Sequence, residues 1–282
     1  MLTQPNRHRQ NRVQAHRRGL WVPRYAARWP FVVTIPLVAG CVELPAPAKE
    51  QLAQAEKDYR GQNYREASNK LEDILRKYPE YKQSAEAYYL RSQVRVAQNN
   101  KLGASTDVKK CLSLSMNPDL TARAHATAGQ LAFETGDFPD AAQHLEAALR
   151  KIPEKPPADL VRFRLAVCLA RIGEWRKARP QFAAVYQRYP DSAVAAQAKA
   201  LFEWPWDYFV IQCGAFRDQA QANRLAQKLT AAGLSARVES RPRLGEGLYT
   251  VCVGIYPKFE QAQEALRSVK GKSPGAVVAP NF

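Results

Sequence analysis

Between residues 48 and 192 the apolar positions recur on a 37-residue grid. Ala67, Ala104, Ala141 and Ala178 form one column; Leu71, Val108, Leu145 and Phe182 form a second; Ile74, Cys111, Ala148 and Val185 form a third. Within a unit the columns are spaced four and then three residues apart, which places them on one face of an α-helix. Pro79, Pro153 and Pro190 lie on the same grid, twelve residues after their alanines, and Met116 takes the remaining position with Pro118 close behind. A proline there marks the end of a helix, because it cannot supply the next backbone donor.

Each helix of that kind is preceded by a turn signal. The third and fourth units read Gly136-Asp137-Phe138-Pro139-Asp140-Ala141 and Gly173-Glu174-Trp175-Arg176-Lys177-Ala178, and Tyr64 holds the aromatic column in the first. The second unit departs from the pattern, with Asn99, Asn100 and Lys101 in those places. The pattern closely resembles the tetratricopeptide repeat, a helix–turn–helix unit of about 34 residues. The resemblance implies four helical pairs over residues 48–192 and a capping helix from 193 to about 204, since a solenoid must cover its last apolar face. It also implies a concave groove for a protein partner that the sequence does not identify. Tyr88 and Tyr89 are either anchors in that groove or ordinary packing residues.

After Trp204-Pro205-Trp206, which reads as a hinge, the periodicity changes. Residues 208–213 form a β-branched and aromatic run predicted to be a strand that stops at Gly214. Residues 218–232 carry Ala222, Leu225, Ala226 and Leu229 at helical spacing, and Gly233 ends that helix. Residues 235–240 and 248–254 read as strands joined by a hairpin at 241–247, 259–270 as a helix, and 276–279 as a last strand. The βαββαβ order predicts an antiparallel sheet with both helices on one side and an open face on the other. The fold class is therefore α+β, an all-α solenoid followed by a small βαββαβ domain. Alternation turns Phe209, Ile211 and Cys213 towards the helices, with Tyr249, Val251 and Val253. It turns Val210, Gln212, Leu248, Thr250 and Cys252 outward.

Three segments of this tail, 210–216, 231–234 and 247–254, resemble the SPOR domain. The resemblance covers about 75 residues and implies binding of peptidoglycan glycan strands stripped of their stem peptides. By the same resemblance Gln212 is the leading glycan contact, since an amide both donates to and accepts from hydroxyl and acetamido groups. Val210, Ala215, Leu248, Thr250 and Cys252 complete the candidate glycan-binding set. Gln212 also reads simply as a solvated polar residue on a sheet face. Positions 250 and 252 often carry arginine in that family, and position 215 serine; here they are Thr, Cys and Ala.

Composition changes the picture mainly at the N-terminus. The chain has 282 residues and a formal net charge of +16. Residues 1–40 hold seven arginines and no lysine or acidic residue, and setting that segment aside lowers the charge to +9, a weaker argument for a nucleic-acid partner. A basic stretch to Arg28 precedes a short apolar run from Trp29 to Gly40 that contains Pro30 and Pro36, too short to span a membrane. This is the order of an export signal. Val38-Ala39-Gly40-Cys41 resembles the lipobox of bacterial lipoproteins, which implies cleavage before Cys41 and lipidation of its thiol and new amino group. Val42, where aspartate would retain a lipoprotein at the inner membrane, points by the same resemblance to the outer membrane, facing the periplasm. The predicted organisation is a signal peptide (1–40), a lipidated linker (41–47), a tetratricopeptide solenoid with its cap (48–206) and a SPOR domain (207–282).

The remaining chemistry is sparse. His125 and His144 read as helix-surface residues, no cysteines show metal-ligand spacing, and no nucleophile–base or paired-carboxylate arrangement stands out. The expectation is a binding protein with no cofactor, no metal and no catalytic residues. It would be lipid-anchored in the cell envelope, holding peptidoglycan through the tail and a protein partner through the repeats, in cell division or envelope maintenance. The alternative is an interaction scaffold in outer-membrane assembly or transport, with the tail as a tether. RNA binding would need exposed aromatics on the sheet face, and the outward positions supply none, so no nucleic-acid partner is expected.

Overall fold

The 37-residue grid folds into antiparallel helix pairs. A computed structural model describes residues 43–243 and 246–281; the side chains of 241–246 are outside that description, and so are the predicted signal peptide and Cys41. Four pairs follow one another: α1 (Ala46–Arg60) with α2 (Tyr64–Lys77), α3 (Ser84–Ala97) with α4 (Lys101–Leu114), α5 (Pro118–Thr135) with α6 (Phe138–Leu149), and α7 (Ala158–Arg171) with α8 (Trp175–Arg188). The short α9 (Ala195–Phe202) covers the last pair. All twelve residues of the three apolar columns are fully buried, so the repeat pattern is the core pattern.

The turn between paired helices needs a left-handed residue. Gly136 and Gly173 supply it at φ 84° and 90°, and Gln62 and Asn99 occupy the same column at φ 61° and 58°. Asn99 tolerates that region better than Gln62 does, because its short amide can bond locally. The second unit thus keeps the turn while losing its sequence signature. Asn100 also takes over the cap: its Oδ1 accepts from the Gly103 amide at 3.0 Å, as Asp137 Oδ1 accepts from Asp140 N at 3.2 Å.

His125 and His144 are not free surface residues. They are half-buried between α5 and α6 with Nδ1 atoms 2.8 Å apart, so one ring donates and the other accepts, and the pair cannot be doubly protonated without losing that bond. The Asp140 carboxylate lies 3.7 Å from the far nitrogen of His144. Burial, and then the neighbouring His144 and Arg150, hold the pKa of His125 below its ordinary 6.5. The unfolded chain therefore binds more protons in this range. The contribution of His125 to stability is complete above pH 6.5 and is lost as the pH falls through the lowered value. The thermal midpoint should drop between pH 7 and pH 5, and the drop should shrink in His125→Gln. An unchanged drop would assign it to other groups.

The tail forms β1 (Phe209–Phe216), α10 (Gln219–Ala231), β2 (Ala236–Arg243), β3 (Glu246–Tyr256), α11 (Phe259–Lys270) and β4 (Val277–Ala279), in one antiparallel sheet ordered β2-β3-β1-β4. The strands run further than predicted. Gly214 does not stop β1: Gln212 pairs with Cys252 and Gly214 with Val251, leaving Cys213 as the extra residue of a bulge. The bulge turns Gly214 to the helix side, where a Cβ would meet Leu225 at 3.0 Å. The predicted hairpin at 241–247 is largely strand, since Arg241, Pro242 and Arg243 pair with Leu248, Gly247 and Glu246.

Trp204-Pro205-Trp206 is not a hinge. Trp204 Nε1 donates to the Tyr208 carbonyl at 3.1 Å, and the Trp206 ring stacks on Tyr208 at 5.6 Å. Arg179 of α8 holds the segment from the other side, donating to the Phe202 and Trp206 carbonyls and to Asp207. The last repeat and the sheet domain share one apolar core. In it Trp175 packs on Phe209 at 5.1 Å, and the Arg171 guanidinium lies over Phe138 and Phe259 at 4.6 and 4.3 Å. Gly173 admits the Pro257 carbonyl 3.0 Å from where a Cβ would stand.

Candidate functional site

The register places the candidate residues. Val210 and Gln212 on β1 share a face with Thr250 and Cys252 on β3, and this face continues to Arg237 and Glu239 on β2 and to Val277 and Ala279 on β4. This is the face away from α10 and α11, as the alternation predicted. It is not open along its length. Val210 and Cys252 are fully buried and Thr250 is 4% exposed. Val210 and Cys252 belong to the same apolar core as Leu201 and Trp204 of the solenoid's end. The expectation that these three side chains stand at the surface is corrected on that ground. Gln212 and Leu248 are half-buried, and Ala215 is exposed. Cys41, the candidate lipidation site, lies outside the described residues.

Gln212 lines a cavity of about 620 Å³. One wall is the sheet, with Gln212, Ser240 and the run from Val277 to Asn281. The other is the end of the solenoid: Gln197, Ala200 and Leu201 on α9, then Glu203 and Trp204-Pro205-Trp206. Amides, a hydroxyl, a carboxylate and indoles surround an apolar floor. That set suits a neutral ligand rich in hydroxyl and acetamido groups.

The sequence reading missed the cation on this face. Arg237 stands opposite Cys252; its Nε donates to Glu239 at 2.6 Å and its Nη1 to the Gly254 carbonyl at 2.9 Å. A guanidinium therefore comes from β2 rather than from positions 250 and 252 of β3. The alternation used for β1 and β3, applied to β2, was signal enough to find it. Trp206 was missed because nothing in the sequence folds the segment back over the sheet.

Cys213 and Cys252 are free thiols. Burial, with Cys252 beside it, pushes the Cys213 thiol up despite its hydrogen bond to Ser273. In the repeats burial pushes Cys111 and Cys168 up to about 12, so these are protonated packing residues. Among the described residues no cluster of His, Cys, Asp or Glu is arranged to hold a metal ion, and no helix is long and apolar enough to cross a membrane.

A second cavity, also about 620 Å³, lies in the solenoid between α3, α5, α7 and the α6–α7 loop. Arg123, Lys151, Lys155 and Arg164 face it against a single carboxylate, Asp119. Tyr89 lines it beneath Arg123, whose guanidinium is 5.2 Å from the ring. Tyr88 is 9% exposed and does not line this groove. Only the second of the two tyrosines is therefore placed to meet a partner there.

Comparison with known families agrees with this division. Residues 207–280 match the SPOR domain and residues 126–193 the tetratricopeptide repeat. The chain thus carries a tetratricopeptide solenoid and a C-terminal SPOR domain. These are binding modules rather than catalytic ones, the first for protein interaction and the second for peptidoglycan, which gives the chain a role in cell-envelope binding and protein interaction. Among solved structures it is similar to YrrB, described as a TPR protein with an unusual peptide-binding site (21% identity over 57% of this chain and 80% of that one, TM-score 0.48). It is also similar to MamA (15% identity, 55% and 84%, TM-score 0.45) and to PilF of Pseudomonas aeruginosa (15% identity, 81% and 92%, TM-score 0.41). None of the curated proteins matches the chain.

Proposed function

We propose that this protein is a lipid-anchored component of the bacterial cell envelope that holds denuded glycan strands of peptidoglycan at Gln212 and a protein partner in the solenoid groove. The observation that carries the glycan reading is the position of Gln212: it is the candidate amide on the sheet face that lines a cavity of ligand size. The excess of cations around the solenoid groove favours an acidic segment as the partner. The lipobox-like run ending at Cys41 supports anchoring at the outer membrane, and preference for stripped glycan supports work at the division site or in envelope maintenance.

The test is retention of the full mature chain on purified sacculi, with Gln212→Ala as the variant. Loss of an amide that both donates and accepts should weaken binding about tenfold, since each net hydrogen bond contributes about 0.5–1.5 kcal/mol. Retention at wild-type strength would remove Gln212 from the site. If sacculus binding falls while the cellular phenotype is intact, the repeats carry the function and the tail is a tether.

A further inference from the structure

We propose that the end of the repeat array completes the glycan groove: Trp206 and α9 form its second wall, and Trp206 stacks on a sugar ring held at Gln212. The inference rests on the glycan reading above and goes beyond the sheet domain, because residues 197–206 precede the stretch that matches the SPOR domain, which begins at 207.

Three observations carry it. First, the cavity that contains Gln212 is closed on its far side by Gln197, Glu203 and Trp206, and its volume of about 620 Å³ falls in the range of roughly 300–1,000 Å³ typical of ligand sites. Second, the lining has the chemistry of a pyranose with acetamido groups. Trp206 brings an indole to the lining, of the kind that packs on the C–H face of such a ring, while the side-chain amides of Gln197, Gln212 and Asn281 can donate to and accept from its hydroxyl and amide groups. Third, the wall is rigid before ligand arrives. Trp206 stacks on Tyr208 with the planes 15° apart, and its carbonyl accepts from Arg179 at 3.2 Å. Little ordering is left for a ligand to impose. The sheet face is buried at Val210 and Cys252, and Gln212 opens into the cavity that this wall bounds.

The experiment measures binding of the full mature chain to glycan strands stripped of stem peptides. Trp206→Ala should bind about tenfold more weakly, with Trp206→Phe restoring most of the loss. Gln197 is exposed on α9, so Gln197→Ala should weaken binding about threefold without moving the thermal midpoint. That second variant keeps the test independent of any effect of Trp206 on the junction. Wild-type binding by both Trp206→Ala and Gln197→Ala, with Gln212→Ala impaired, would overturn the composite wall and leave the glycan reading standing. Failure of the wild-type chain itself to bind stripped glycan would overturn both.

Discussion

Replacing Trp175 by alanine is expected to lower the unfolding free energy by about 3–5 kcal/mol and to separate the unfolding of the SPOR domain from that of the repeats. The indole is 1% exposed and among the largest fully buried side chains in the chain. It begins α8, where the repeat pattern requires an aromatic, and it also packs on Phe209 of β1. One side chain thus belongs to two domains. Beside it, Arg171 lies over Phe259 of α11, and burial holds its pKa below the usual arginine value. A shared core of this kind predicts a single cooperative transition for the wild-type chain in guanidinium, coincident by far-UV circular dichroism and by tryptophan fluorescence. In Trp175→Ala the two probes should diverge, with the sheet domain melting first. A loss below about 1 kcal/mol would show that the junction tolerates the cavity and contributes little to cooperativity. The same contacts predict that residues 207–282 alone are less stable than in the full chain, since Phe209 and Phe259 then lose their cover.

Asp107→Ala should cost about 3 kcal/mol, for a different reason. Asp107 is 1% exposed. It accepts from Arg91 Nε and Nη2 at 2.9 and 2.7 Å, and Arg95 Nη1 lies 2.8 Å from the same carboxylate. Arg91 and Arg95 are four residues apart on α3, so removing the carboxylate leaves two partly buried guanidinium groups facing each other. Asp107→Asn keeps the volume and part of the hydrogen bonding and should cost about 1–2 kcal/mol. Denaturant titration of the two variants separates charge from shape; equal losses would mean that the charge is not what the site needs. This triad sits in the second unit, whose turn lacks the repeat's sequence signature. Its α3–α4 pair is therefore joined by ions as well as by the Ala104, Val108 and Cys111 columns.

The repeat frame was legible because each unit repeats the same problem. Every second helix buries the same three columns against its neighbours, so their periodicity reports the packing directly. The SPOR topology was legible for a related reason, since alternation along β1 and β3 encodes which face meets the helices. The bulge at Cys213 was not, because an extra residue in one strand is visible only against its partner. Nor was the extension of β2 and β3 through 241–247. Pro242 and the glycines read as a turn, whereas the ladder runs on through Arg241–Leu248 and Pro242–Gly247 to Arg243–Glu246. The histidines were misread because half-burial depends on α5 and α6 lying side by side.

The sequence alone determined the two modules, their order and the face on which Gln212 lies, because these follow from local periods of apolar residues. Only the tertiary structure decided what that face looks like. Val210 and Cys252 are buried on it, and Gln212 shares a cavity with Trp206 and the end of the solenoid. The junction beside that cavity is held by the contacts of Trp175, Arg171 and Arg179 with residues about 30 to 90 positions further along the chain. No local pattern encodes such pairings, because they arise only when two complete surfaces meet.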